Sequence, residues 1–403
     1  MFNTRQPDSN RGDTGKKKKK KKSLFDRCRP HPNKDKVLGG VDFTFHGNVK
    51  SSTILSYSKN NGAPIFCLVT SKFAKSSSPF RMLAEEVLYH PLIVEVIEDL
   101  FVSVAIFMDD DTHRGTMMKL TGKLVSTDCL DTPLVLVLDS EGKKLNSGEF
   151  QERSTPMSFV GSKVMESLLS FKRHELNPVP RYLKHVVREE RTYEKKTDEK
   201  VFFAMTDSWI GEAEFAECHG IISCKAGWLR DEEIVMVVFD SKAISMSELV
   251  RFAIARSRTK IVYYVSDKER QIMIHQRKLS SQSNEVQICR LAGSIGGSIR
   301  VQPSYYYMSN TIFCKIPMTD YQRCRVNFAL YTGDEEEALA LLSPRQNEML
   351  RQFSKCDKKR PVDSFNIYEG WEIAMAPSNT ETRSRESSYD LTVHKLSTLA
   401  LEK

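Results

Sequence analysis

Short apolar runs bounded by turn residues recur along the chain, and they constrain its fold more than any other feature. "GAPIFCLVTS" (62–71) turns apolar straight after Gly-Ala-Pro; "FVSVAIFM" (101–108) and "TPLVLVLDSEGKKL" (132–145) repeat the pattern, the last ending in an Asp-Ser-Glu-Gly turn. Runs apolar at successive positions predict strands covered on both faces. The segments between them have helical spacing. "SSPFRMLAEEVLYHP" (77–91) puts Pro79 in a first turn and Phe80, Leu83, Val87 and Leu88 on one face. "HPLIVEVIEDL" spaces Leu92, Ile93, Val96, Ile97 and Leu100 likewise, and "GSKVMESLLSF" (161–171) adds an amphipathic helix. Strand, helix, strand, hairpin and helix predict an α/β sandwich with a mixed sheet over residues 45–185.

A second series follows. "VFFAM", "IISCKAGWL" and "EEIVMVVFD" (232–240) read as strands, and "GEAEFAECHG" as a helix ending at Gly220. "SMSELVRFAIA" (245–255) places Met246, Leu249, Val250, Ala253 and Ile254 on one helical face, with Ser245 or Ser247 as its cap. This is an α+β unit, assigned to residues 201–355. Between the two units, "NPVPRYLKHVVREERTYEKKTDEK" (177–200) is dense in charge and opens with two prolines, so residues 186–200 read as a linker, with room in the segment for one exposed helical stretch. The polar ends, 1–44 and 356–403, read as disordered tails.

With 403 residues, 40% of them hydrophobic and 28% charged, the composition is that of a globular protein. No apolar stretch is long enough for a membrane helix, and no apolar segment of signal-peptide type opens the chain, so no membrane association and a cytoplasmic location are expected. The net charge of +8 is concentrated in one run, Lys16–Lys22, without which the balance is close to neutral. Charge alone therefore excludes the body of the chain as a nucleic-acid surface. The run reads as a solvated tail, with a nuclear signal or polyanion tether as the alternative. The nine cysteines include no Cys-x-x-Cys pair, and Cys28-x-x-His31 stands without further ligands. A reducing compartment, no metal and no cofactor are expected.

The first unit resembles the thioredoxin superfamily, most specifically at "EEVLYHPLIVEVIEDLFVSVAI" and "DTPLVLVLDSEGK". The resemblance puts Thr132-Pro133 where that family has its cis-proline, and Ser77-Ser78-Pro79-Phe80 where it has Cys-x-x-Cys. Ser77, Phe80 and Pro133 are then a degenerate redox site. A serine at a helix start caps backbone N–H groups but forms no disulfide. Cys67, inside the strand, reads as a small buried hydrophobe.

In the second unit, "DSWIGEAEF" and "VMVVFDSKAISMSELV" resemble the class A peptide methionine sulfoxide reductases. Trp209, Glu212 and Phe215 fall on that family's Trp, acid and apolar anchor, and Gly227-Trp228 on its Gly-Tyr. "PVPRYL", "QPSYYYMSNTIFCKIPMTDYQRCRVNFALYTG" and "LLSPRQNEML" are similar to a composite family joining the two domain types, some of whose members are selenoproteins. The resemblance implies a thiolate nucleophile, an acid that protonates the departing oxygen and an aromatic box for the methyl group. Glu212 supplies the acid and Trp209 and Trp228 the box, but Asp207 stands at the nucleophile position. A carboxylate cannot pass through sulfenic acid to a disulfide.

Three functions follow as expectations. The first is a binding or scaffold protein whose pocket recognises methionine or its sulfoxide in a peptide or protein. The second is a sulfoxide reductase using a relocated thiol, Cys224, with Cys314 or Cys324 resolving. The third is a nuclear or polyanion-tethered protein acting through the lysine run. Glu212, Trp209 and Trp228 are expected to line one pocket with Asp207 at its mouth, where the two carboxylates repel and one holds its proton more tightly. Alternation along one strand is expected to put residues 207 and 209 on the same side.

Overall fold

The structure, a computed structural model, describes residues 37–73, 79–121, 133–146, 161–169, 179–256, 258–279, 286–291, 299–355, 361–362 and 365–375. It is a mixed α/β protein with two mixed sheets. The strands are β1 (Phe45–His46), β2 (Ile65–Thr70), β3 (Val102–Phe107), β4 (Leu134–Leu138), β5 (Asp198–Met205), β6 (Ile221–Leu229), β7 (Glu232–Asp240), β8 (Thr259–Tyr264), β9 (Gln287–Arg290) and β10 (Ile299–Val301). Among the helices, α1 (Ser51–Asn61), α2 (Pro79–Met82, continuing as a π-turn over Leu83–Val87), α3 (Pro91–Leu100), α4 (Asp111–Thr121) and α5 (Gly161–Leu168) accompany the first sheet.

The first sheet has the order β1-β3-β2-β4; β1 and β2 run parallel to β3, and β4 runs antiparallel to β2. Every residue of β2 and β3 is buried, as expected of strands covered on both faces. Phe80, Leu83, Val87 and Leu88 are all buried, and so are Leu92, Ile93, Val96 and Ile97 of α3. The second sheet has the order β10-β6-β7-β5-β8-β9, antiparallel except for β8 with β9.

Around it lie α6 (Arg181–Glu194), α7 (Ser208–Phe215), α8 (Met246–Ala255) and α9 (Asp267–Leu279), followed by α10 (Tyr306–Ser309), α11 (Asp320–Thr332), α12 (Glu335–Ala340), α13 (Pro344–Phe353) and α14 (Ile367–Met375). Helix α8 opens with a reciprocal capping box between Ser245 and Glu248, and its five predicted apolar residues are buried. Helix α7 begins three residues before the predicted start and ends at Phe215. Gly220 follows in a turn at φ 107°, where a side chain would collide with Ile244.

Three boundary expectations are corrected. Residues 186–200 are no loose linker: they are most of α6 and the start of β5, and Tyr182, Leu183, Val186 and Val187 of α6 are buried. The tail drawn to residue 44 stops short, because Val37, Leu38, Val41 and Phe43 pack into the main core. The tail drawn from residue 356 contains α14, whose Ile367 and Trp371 are buried in that same core. This one cluster also takes in Phe66, Ile93, Phe203 and Phe239, so apolar contact is continuous from the first sheet to the second. Arg345 reinforces it from α13: Nη2 meets Glu98 at 2.7 Å, Nε meets Asp99 at 3.0 Å, and its backbone N–H donates to Glu95 at 2.9 Å. No helix among the described residues is long and apolar enough to cross a membrane.

Candidate functional site

The site is assembled where β5 runs into α7. Strand β5 ends at Met205, and Asp207 turns the chain with φ at 58° as the N-cap position of α7. Asp207 therefore sits in a helix entry rather than at a strand end, and the alternation argument for residues 207 and 209 gives way to helical geometry. Its side chain does not cap the helix. It meets Arg258, Nη1 to Oδ2 at 3.3 Å, while Glu233 from β7 accepts the Ser208 N–H at 3.0 Å. Gly211 permits the close seating of α7, since a Cβ there would lie 2.6 Å from the Met205 sulfur.

One turn into α7, Glu212 is 1% exposed. Its Oε1 accepts the Ala226 N–H at 2.9 Å; its Oε2 accepts the Tyr306 N–H at 3.0 Å and Asn327 Nδ2 at 3.3 Å. Past the end of β10 at Val301, the Gln302 N–H still donates to the Ala226 carbonyl at 2.8 Å, and the Glu212 carboxyl takes the Ala226 N–H. Asn327 Oδ1 in turn accepts the N–H groups of Tyr307 and Met308 at 3.0 and 3.3 Å. Two side chains thus hold the start of α10. Burial pushes the Glu212 carboxyl up to about 7, against the opposing pull of Tyr306, Ala226, Lys225 and Asn327. The cause is desolvation and not Asp207, which Arg258 engages, so the expected carboxylate repulsion is not what shifts it.

The rings form a ledge. Trp209 lies 5.6 Å from Tyr306 at 31°, Tyr306 meets Tyr307 edge-on at 5.2 Å, and Tyr307 meets Tyr331 at 5.0 Å. Trp228 lies on β6 opposite Glu233, the residue that caps α7, and is 38% exposed. The structure thus brings Glu212 and Trp209 together through Tyr306, with Asp207 at the helix entry and Trp228 at the adjoining strand end. Tyr306, Asn327, Glu233 and Arg258 escaped the sequence reading. The triple tyrosine in "SYYYMS" was the available signal for the first of them.

Cys224 is placed behind the site in β6, fully buried, its thiol held well above the ordinary range by burial and by its hydrogen bond with Cys324. Burial also pushes Cys67 up to about 12 and Cys218 up to about 11. None of these is a ready thiolate. In the first unit, Ser77 and Thr132 lie outside the described residues. Phe80 is buried in a cluster with Val69, against which Leu134 packs; Leu134 also pairs with Val69, which brings Pro133, just before β4, to the end of β2. The lysine run Lys16–Lys22 lies outside the described residues as well.

Compared with known proteins, the chain matches no family model and no curated protein.

Proposed function

We propose that this chain is a binding protein built from a thioredoxin-like unit and a class A methionine sulfoxide reductase-like unit, and that the Trp209–Tyr306 ledge beside Glu212 recognises methionine or its sulfoxide within a peptide. The observation that carries this reading is the pairing of a buried carboxyl, raised by burial, with an aromatic ledge at a helix entry where the nucleophile position is an ion-paired Asp207. The indole and phenol faces suit a thioether methyl group. Glu212 acts from behind the ledge, where it accepts the N–H of Tyr306 and so sets the position of that ring. Catalysis by the thiol route has no support at Asp207, and the buried Cys224 is a poor substitute.

The test is calorimetry of the full chain with acetyl-methionine-sulfoxide methylamide and its norleucine counterpart. The sulfoxide is expected to bind at least tenfold tighter, Trp209→Ala to remove that preference, and dithiothreitol to yield no methionine. Equal affinity for the two compounds would sink the binding reading. Steady thiol-dependent turnover would instead restore the reductase.

A further inference from the structure

A cavity of about 340 Å³, lined by none of the ledge residues, lies between α6, the start of α3, the start of α11 and the approach to α14. Its chemistry is unbalanced in one direction. Glu189 and Glu190 line it from α6, and Asp320 from α11. Glu189 accepts the Tyr321 N–H at 3.3 Å and lies in the field of Asp320. The charges acting on Glu190 are two further acids, Glu194 and Glu86. Both carboxyls are pushed up to about 7, by burial first and by neighbouring acids second.

One guanidinium, that of Arg323, is already in the wall: its charge acts on Glu189 but not on Glu190. Arg323 gives Nε and Nη2 to the Met318 carbonyl at 3.0 and 2.9 Å and Nη2 also to the Phe365 carbonyl, and faces Asp320 at 3.7 Å. Lys225, the other base at the wall, lies over the Tyr305 ring at 5.4 Å.

A second observation is independent of the acids. His90, also in the wall, is 6% exposed, and its Nδ1 has no hydrogen-bond partner among the described residues. Burial holds its ring neutral until about pH 4. A buried imidazole nitrogen has to be satisfied, and in the tautomer protonated at Nε2 this one is an acceptor. The ring stands edge-on to Tyr368 at 5.6 Å, and Tyr368 and Tyr193 add aromatic faces to the same wall.

We infer that this cavity is a binding site for a guanidinium group, held by Glu189 and Glu190, hydrogen-bonded to His90 and flanked by Tyr193 and Tyr368. A planar cation with several N–H donors meets the charge, the acceptor and the rings at once. A neutral ligand would leave Glu190, on which only other acids act, uncompensated, and an anion would be repelled by it. A hydrated metal ion would gain little from the tyrosines.

Titration calorimetry of the full chain tests this without reference to the Trp209 ledge. Nα-acetyl-arginine amide is the probe and Nα-acetyl-citrulline amide, its uncharged near-isostere, the control. The arginine compound is expected to bind at least tenfold tighter, and Glu190→Gln to weaken it at least tenfold with an unchanged circular-dichroism spectrum. Agmatine distinguishes the source: tighter binding than the amide points to a free amine, weaker binding to a peptide side chain. Absence of arginine binding, equal affinity for citrulline, or full affinity in a folded Glu190→Gln variant each overturns the proposal. Displacement by equimolar magnesium chloride at constant ionic strength overturns it in favour of a metal site. The wild-type comparison needs no variant, so a misfolded substitution leaves the test intact.

Discussion

Arg258 holds the carboxylate of Asp207 at 3.3 Å over the entry of α7. Asp207→Cys would place a thiol beside that guanidinium and at a helix N-terminus, two influences that lower a thiol pKa. We expect the variant to form a sulfenic acid with peroxide, trapped by dimedone and read by mass spectrometry. We also expect single-turnover reduction of a methionine sulfoxide peptide, which Asp207→Cys combined with Glu212→Gln loses. An introduced thiol that is neither oxidised nor labelled would mean that the likeness at residues 207–228 ends with the backbone.

Glu212 also dictates a pH dependence. Its folded-state value near 7 exceeds the roughly 4.3 of an unfolded glutamate, so the folded protein keeps the proton that the unfolded chain releases. Stability therefore falls as pH rises from about 4 to 7, and below that window the group contributes no difference. Glu212→Gln removes this dependence, which amounts to about 3 kcal/mol across the window. The other shifted acids and histidines are common to both proteins and cancel in the comparison. Urea midpoints at pH 5 and pH 8 measure it; parallel profiles for wild type and variant would show that Glu212 titrates normally.

Cys224 and Cys324 are both buried in the core, with exposures of 0% and 1%. Native protein treated with iodoacetamide at pH 8 should leave both unmodified, and 8 M urea should expose them to full labelling. Rapid native alkylation of Cys224 would reopen the reductase reading with a relocated nucleophile.

Arg345 is 2% exposed and faces Glu98 and Asp99 directly. Replacing it by Met takes the guanidinium from two acids that have little access to water. We expect a loss of about 3–5 kcal/mol in urea denaturation, the range for breaking a buried ion pair from one side. Adding Glu98→Gln and Asp99→Asn should recover part of it. A loss below about 1 kcal/mol would place the pairs in the surface class.

Strands were legible because β-branched and aromatic residues cluster in short runs between turn formers, a local signal that survives without tertiary context. Helix α6 reads as an exposed stretch because its charge masks a face: Tyr182, Leu183, Val186 and Val187 repeat at helical spacing and are buried. Residues 37–43 have no periodicity, and only the packed core explains their burial. The same divide runs through the site. Trp209 and Glu212 lie within one local motif, whereas Arg258, Tyr306 and Asn327 join it from 51, 94 and 115 residues away. Contacts of that separation exist only once the sheet is formed.

The Arg345 clasp also bears on synthesis. Its partners on α3 precede it by 246, 247 and 250 residues. The first sheet leaves the ribosome long before its cover is translated, with the acids of α3 open to water and the apolar residues beside them unmatched. Docking must wait for the last third of the chain, as expected when distant segments close a common core. A nascent chain halted before α13 is the species in which a chaperone has most to bind.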